Sequence, residues 1–417
     1  MKVPAPKNDP VLLCGDLGTS SLKAALIGGE GTLLRAERVP YRGNAPWCWE
    51  DAFFRAAASL LADGGKRPAA LVLSGNGPTL VPLLRGGKAL APLSWFSGPD
   101  AAHGISSLFL PKIAAFRREQ REAYEQTVLF LSAHGWLCHR LGAPPLMTLP
   151  QSAYEKYYWD EEQAAALEID TARLPRKIVM GRITGAVTVD GPLKGVPIVP
   201  AGPDFIMALI GTGTLEEGRC CDRAGSSEGI NVCINGLQAE HISAVAERFT
   251  SASAERVGAA APLRVLPHVI EGSWNAAALI SESGKLLAGC ARGAGMTSGV
   301  LLDKTFSGNH EGGRKLIETL ARRLTAALDQ LEQAGLPVTT LTLSGGQSRS
   351  PQWNQFKADR TGRTLLVPEI ADAELLGGAI VGVLALEEKS PTAAALREKA
   401  AAMVRIASRY TPRTDGA

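Results

Sequence analysis

Apolar and polar positions along this chain change their spacing repeatedly, and each change marks an element. Residues 11–41 hold three short runs, VLLCGD, LKAALIG and TLLRAERVPY, separated by the turns GTSS and GGEG, a pattern that predicts an antiparallel meander. WEDAFFRAAASLLADG then places apolar residues three and four apart, the spacing of a helix, and ALVLSG predicts a buried strand. From 111 to 142 the spacing is helical again, and HGWLCHRLG closes on the glycine that helix C-termini favour. IVMGRIT, GAVTV and VPIVPAG predict short strands between 178 and 206.

The second half repeats this layout. FIMALIGTGTLEEG predicts a helix and a turn, and RCCDRAGSSEGINVCI a strand, a Gly-Ser-Ser turn and a strand, as at the start of the chain. GGRKLIETLARRLTAALDQLEQAG sets Leu316, Leu320, Leu324, Leu328 and Leu331 on one stripe of a long helix that ends at Gly335. TTLTLSGGQS predicts a strand, SPQWNQFKADRTG a helix, and DAELLGGAIVGVLALEEK an apolar, small-residue helix suited to close packing. A charged helix follows, with a loose tail expected from Pro412. At 417 residues the chain exceeds what one core supports, so two α/β domains with a cleft between them are expected, joined without a Ser/Gly-rich linker.

Composition narrows the class. With 45% hydrophobic and 20% charged residues, 45 glycines and 26 prolines, it is that of a folded enzyme. The net charge of +3 comes with no Lys/Arg block and no aromatic–basic alternation, so nothing points to nucleic acid. No run of about eighteen uncharged apolar residues occurs, and MKVPAPKNDP lacks the apolar core of a secretion signal. No membrane association is therefore expected, and the cytoplasm is the expected location. The seven cysteines lack CxxC spacing, and His134 and His139, five apart, do not share a helix face, which speaks against a structural zinc or a disulfide framework.

Candidate chemistry begins at Asp16, where a strand enters a turn of Gly18, Thr19, Ser20 and Ser21 with Lys23 on the next strand. Backbone N–H groups and hydroxyls of such a turn suit a phosphate, a hard cation such as Mg²⁺ would explain the acid, and Lys23 adds a point charge for phosphate oxygens. A hairpin turn with a solvated Asp is the other reading of the same residues. AGSSEG at 224–229 and LSGGQSRS at 343–350 are two further Gly-rich turns after strands. Asp204, in VPAGPDF, is a lone acid between an apolar strand and an apolar helix, either a catalytic base or the N-cap of that helix. Trp47, Trp49 and Trp136 read as core or cleft-wall aromatics, Glu50 as a first-turn helix acid, and Arg117, Arg118 and Arg121 as a solvated helix face.

Taken in order, these stretches resemble the FGGY family of carbohydrate kinases, within the actin, hexokinase and heat-shock-chaperone ATPase fold, from about residue 11 to about 411. GDLGTSSLKAAL resembles the first phosphate motif, WEDAFFRAAASLL the acid-bearing helix after the third strand, LVLSGNGPTLVPLL the Ser-Gly strand of the sugar site, and PLSWF the Trp-bearing strand. PAGPDFIMALIGTGTLEEG resembles the segment with the catalytic Asp, AGSSEGI the second phosphate turn, and LSGGQSRSPQWNQFKADRTGRTLLVPEIADAELLGGAI the adenosine-binding Gly-Gly, its helix, and the Glu-x-x-x-Gly-x-Ala helix at Glu374, Gly378 and Ala379. The resemblance implies two actin-like (ribonuclease H-like) domains, 1–207 and 208–417, each a mixed five-stranded sheet with flanking helices.

It further implies ATP-dependent transfer of the γ-phosphate to a hydroxyl of a sugar or polyol, with Asp204 as general base. Asp16 would act on Mg²⁺, and Gly18, Thr19, Ser20 and Lys23 on the β and γ phosphates. Gly225 and Ser226 would meet a phosphate, Gly345, Gly346 and Ser350 the adenosine, and Asn76, Trp95 and Asp204 the acceptor. Two stretches depart from the family: Asn76, Gly77 and Pro78 stand where it carries Gln-Met-His or a comparable set, and Trp95, Phe96 and Ser97 where it carries Trp-x-Asp with a nearby Arg. A nucleotide-binding regulator or pseudoenzyme without sugar turnover is therefore the alternative, and a homodimer the assembly to test. A chaperone or filament ATPase of the same fold is disfavoured, because no peptide-binding β domain or long polar tail is evident.

Overall fold

A computed structural model describes residues 9–62, 66–94, 104–225, 228–243, 263–280, 283–308 and 311–413. The chain forms two compact units, Met1–Met207 with Glu374–Met403, and Ala208–Ala373 with Val404–Ala417.

In the first unit, β1 (Val11–Leu17), β2 (Ser21–Gly28) and β3 (Leu33–Pro40) form the expected antiparallel meander. β4 (Ala70–Gly75) then runs parallel to β1. β5 (Leu80–Leu84) pairs with β6 (Thr127–Ser132), and β7 (Leu146–Leu149) with β8 (Arg176–Val179), as small separate sheets. β9 (Gly185–Ala186) and β10 (Pro197–Pro203) complete the main sheet, whose order is β3-β2-β1-β4-β10-β9. All seven residues of β1 are buried, as an apolar run covered on both faces requires. The helix Pro46–Leu60 buries Trp49, Ala52, Phe53, Ala56 and Leu60 on one face, at the spacing the sequence showed. Trp47 lies on the other face at 63% exposure and is not a core aromatic; Trp49 and Trp136 are, with ring centroids 6.1 Å apart.

The stretch 111–142, read as helical throughout, is interrupted by β6. TVLFLS is too short for its period to be told from a helix turn, and its antiparallel partner β5 decides its state.

In the second unit, β11 (Cys220–Ala224) and β12 (Glu228–Ile234) form the second hairpin, followed by β13 (Arg264–Pro267) and β14 (Trp274–Ile280). β15 (Thr340–Ser344) and β16 (Thr364–Pro368) run parallel to β11, and β17 (Ile406–Tyr410) closes the edge, in the order β13-β14-β12-β11-β15-β16-β17. The helix Glu311–Gln333 sends Leu320, Leu324, Leu328 and Leu331 into the core and is followed by Gly335 at φ +77°. Each sheet thus contains the five strands expected, an antiparallel meander followed by two parallel strands, and adds short edges: β9 in the first unit, β13 and β17 in the second. IASRY at β17, a five-residue edge strand of mixed polarity, carries little periodic signal.

A single boundary at 207/208 does not describe the units. The helix Ala373–Leu386 belongs, from Glu374 on, with the first unit, and its glycines give the reason. A Cβ on Gly377 would lie 1.9 Å from the Met207 carbonyl oxygen, and one on Gly382 within 2.6 Å of Leu12 and Val72, so this helix rests against backbone and sheet at a distance only glycine allows. Gly377→Ala is expected to lose about 3 kcal/mol or more of stability by overpacking. Gly289→Ala, in the helix Ser283–Gly293 with nothing near its would-be Cβ, is expected to gain about 0.5 kcal/mol; urea-denaturation midpoints of the two variants check both signs.

Candidate active site

The first unit brings its candidates to the C-terminal ends of three parallel strands, where open α/β sheets bind ligands. Asp16 in β1 is level with Ser74 in β4, and Ser74 with Gly202 in β10. Gly202 adopts φ +110° at a β-bulge, and two residues on Asp204 opens the helix Asp204–Gly211. Asp16 and Asp204 therefore stand about two strand spacings apart, on the order of 10 Å.

Asp16 is 1% exposed. The Ser74 hydroxyl donates to its Oδ1 at 3.2 Å, and Lys23 Nζ, from the paired strand β2, lies 3.5 Å from its Oδ2. The same Nζ lies 3.5 Å from Glu374 Oε2, a second buried carboxylate at the start of the Ala373–Leu386 helix. A burial cost this large is met by pairing, which excludes the reading of Asp16 as a solvated turn residue. Burial first, and then the Asp16 charge, hold the Tyr41 phenol well above its ordinary range, so Tyr41 is a neutral hydroxyl facing that carboxylate. Gly18 closes the turn by donating its N–H toward the Asp16 and Ser21 carbonyls, while Thr19 and Ser20 are exposed at the tip. Asp204 is half-buried in the first turn of its helix, and its Oδ1 accepts the Phe205 N–H at 2.7 Å.

Asn76 follows β4 directly, and its side-chain oxygen is buried with no hydrogen-bond partner among the described residues, as are His134 Nδ1 and Thr148 Oγ1. Burial pushes the His134 imidazole down to about 4. Trp95 and Ser226 lie outside the described residues.

The second unit repeats the arrangement. Gly225 directly follows β11, exposed, and Gly345 directly follows β15 at φ +95°. A Cβ on Gly345 would sit 2.1 Å from the Ala224 carbonyl oxygen, whereas Gly346 has open space on that side. The Ser350 hydroxyl accepts the Trp353 N–H at 3.4 Å and caps the helix Pro351–Thr361. Gln347 accepts from the Trp353 indole at 3.0 Å, and its amide nitrogen is buried without a partner among the described residues.

Beside this turn a charged cluster is sealed in the core. Lys357 Nζ lies 2.8 Å from Asp222 Oδ2 and 3.8 Å from Glu228 Oε1, and all three side chains are 1% exposed. Desolvation, then the Asp222 charge, pushes the Glu228 carboxyl up to about 8 against the opposing pull of Lys357. Burial alone would lower the Lys357 ammonium, but Asp222 and Glu228 outweigh it and the net shift is upward.

Glu374 enters the sequence reading only through the resemblance and without a role, and Lys357, Asp222 and Glu228 are not singled out there. Glu374 carried a usable signal, a lone acid in the apolar helix AELLGGAIVGVLAL, the same signal that singled out Asp204. Lys357 carried none, since QFKADR reads as an ordinary solvated face.

Magnesium and a nucleotide fit these donors. A nucleotide-borne Mg²⁺ needs one or two carboxylates, which Asp16 and Glu374 can offer; exposed hydroxyls tip the adjoining turn, and Gly346 leaves open space beside the Gly-Gly turn. Among the described residues no group of three or more His, Cys, Asp or Glu could hold a metal ion by itself.

Residues 289–386 match the model of the FGGY family of carbohydrate kinases, C-terminal domain. A xylulose kinase of Streptomyces rubiginosus is 23% identical over 94% of this chain and 92% of its own length. A glycerol kinase of Alkalilimnicola ehrlichii is 28% identical over 55% of this chain, which spans 51% of that protein. The crystal structure of Plasmodium falciparum glycerol kinase with ADP superposes with a TM-score of 0.71 at 15% identity, covering 98% of this chain and 95% of that one, and shows the shared fold. Over residues 289–386 the chain is thus similar to FGGY carbohydrate kinases. Its fold is the two-domain actin-like fold of those enzymes. Among the described residues no helix is long and apolar enough to cross a membrane.

The Glu228 shift has a direct consequence for stability. Its folded pKa of about 8 stands above the ordinary 4.5, so between those values the folded protein holds a proton that the unfolded chain has released. Raising the pH through that window therefore favours unfolding, and the loss stops above about pH 8. Denaturant midpoints should fall from pH 5 to pH 8 by more in the parent protein than in Glu228→Gln, where the group no longer titrates.

Proposed function

We propose that the protein is an ATP-dependent kinase that transfers the γ-phosphate to a hydroxyl of a small sugar or polyol. The observation that carries this reading is the buried Asp16, held by Ser74 and Lys23 on the strand-end edge that also presents Asp204. The match of residues 289–386 to the FGGY C-terminal domain supports it, as do relatives named xylulose kinase and glycerol kinase and the ADP in one structural neighbour.

Phosphoryl transfer asks a protein for positioning, charge neutralisation and a base for the acceptor proton. Mg·ATP, when bound, supplies the phosphoryl group and part of that neutralisation. Asp16 would hold the metal side of the nucleotide, Gly18, Thr19, Ser20 and Lys23 would take the β and γ phosphates, and Gly225 and Ser226 a further phosphate oxygen. Gly345, Gly346 and Ser350 would form the adenosine side. Asp204 accepts the proton of the attacking hydroxyl. Asn76 and Trp95 orient the acceptor, and the unsatisfied Asn76 oxygen, an acceptor only, suits a substrate hydroxyl. The protein acts in the cytoplasm, with a homodimer as its assembly.

A nucleotide-binding relative without acceptor turnover is the second reading, favoured by Gly77 and Pro78, which offer no side-chain hydrogen bond where the family carries polar residues. ATP consumption measured across sugars and polyols separates the two: a kinase shows acceptor-dependent turnover, and a regulator binds ATP without it.

For the kinase, Asp204→Asn should lower kcat about a thousandfold, the usual worth of a general base, with ATP affinity within about twofold of the parent. Unchanged kcat with the best acceptor would remove Asp204 from the role of base.

A further inference from the structure

The buried Lys357 cluster has no part in the reading above, yet its position is informative. A lysine in a protein core persists only where its charge is paired; Lys357 pairs with Asp222 on one strand and lies against the Glu228 carboxyl on the next. Asp222 stands in β11, three residues before Gly225; Glu228 opens β12, opposite Ala224. Lys357 comes from the helix Pro351–Thr361, whose first turn is capped by Ser350 just past the Gly345–Gly346 turn. Its ammonium lies 5.6 Å from the centre of the Trp353 ring, and that indole donates to Gln347 in the same turn. A second tie joins the Gly345–Gly346 turn to β11: the Gly345 backbone lies so close on the Ala224 carbonyl that no side chain fits.

We propose that Lys357 is a positioning residue for the nucleotide: from the helix behind the adenosine-side turn it clamps both strands of the β11–β12 hairpin, fixing the phosphate end and the adenosine end of this unit in one register. The inference rests on the reading that this unit takes the adenosine and a phosphate. Removing the clamp leaves each half able to bind its own fragment of the nucleotide but not both in register, so the affinity for the whole falls while that for a fragment does not.

A further consequence involves Glu228. Lys357 from the helix, Asp222 from β11 and the Ser283 hydroxyl from the helix Ser283–Gly293 face it, and Ile280 is its apolar partner on β14. Protonated at neutral pH, it lets the Lys357–Asp222 ion pair stand alone; ionised above about pH 8, it adds an uncompensated negative charge at the root of the hairpin and repels phosphate.

Calorimetry on the full chain at pH 7 with Mg·ATP and, separately, with adenosine tests this. Lys357→Met should weaken Mg·ATP at least tenfold and adenosine less than twofold. Parallel losses for both ligands, or no loss for either, would overturn the positioning role. Should Lys357→Met fail to fold, Glu228→Gln, which keeps the Lys357–Asp222 pair, carries the test. The parent's Mg·ATP affinity should then fall severalfold between pH 7 and pH 9 and the variant's stay level, and equal pH dependence in the two would overturn the clamp. A parent protein that takes up no Mg·ATP overturns the functional reading itself, an outcome distinct from either failure.

Discussion

The account depends on the burial of one carboxylate. Asp16 lies at the end of a strand covered on both faces, out of reach of bulk water, and a charge there is tolerable only because Ser74 and Lys23 reach it from the neighbouring strands. Those neighbours are fixed by sheet order: β2 is the hairpin partner and β4 the parallel partner of β1, so the residues level with Asp16 are Lys23 and Ser74. The same order carries Asp204 to the same edge through β10, and Glu374 arrives on a helix whose glycines let it rest on that sheet. Topology, pairing and close packing thus converge on one acidic, hydroxyl-rimmed edge.

The second unit solves the same problem with different chemistry. Its first two strands again form a hairpin and its next strands again run parallel, but the charged residues near the strand ends are turned inward and neutralise one another. A sealed triad of this kind is weak evidence for stability, since apolar residues of similar volume would serve as well. Its value is geometric, because an ion pair with a third buried carboxyl against it admits few alternative arrangements. The first unit leaves Lys23 and Asp204 partly exposed, where a ligand can meet them, and the second uses charge to hold its own elements.

Much of this was readable in the sequence because the relevant signals are local. Alternation and Gly-hydroxyl turns gave both hairpins, the leucine stripe gave the long helix to within two residues at either end, and ALVLSG marked β4 to the residue. Asp16 and Asp204 stood out as acids in apolar surroundings. What escaped depends on partners distant in the chain. β6 is a strand because β5 lies beside it, and the last apolar helix joins the first unit because Gly377 meets Met207, some 170 residues earlier by the numbering. Lys357 is invisible in QFKADR because nothing local distinguishes a lysine aimed at Asp222 from one aimed at water.

Calorimetric titration of ATP into the protein with and without Mg²⁺, repeated on Asp16→Asn, tests the central claim most directly. The account predicts tight binding that requires magnesium in the parent and a loss of that magnesium requirement, with weaker binding, in the variant. Binding that is absent from the parent, or equally magnesium-dependent in both proteins, would contradict it.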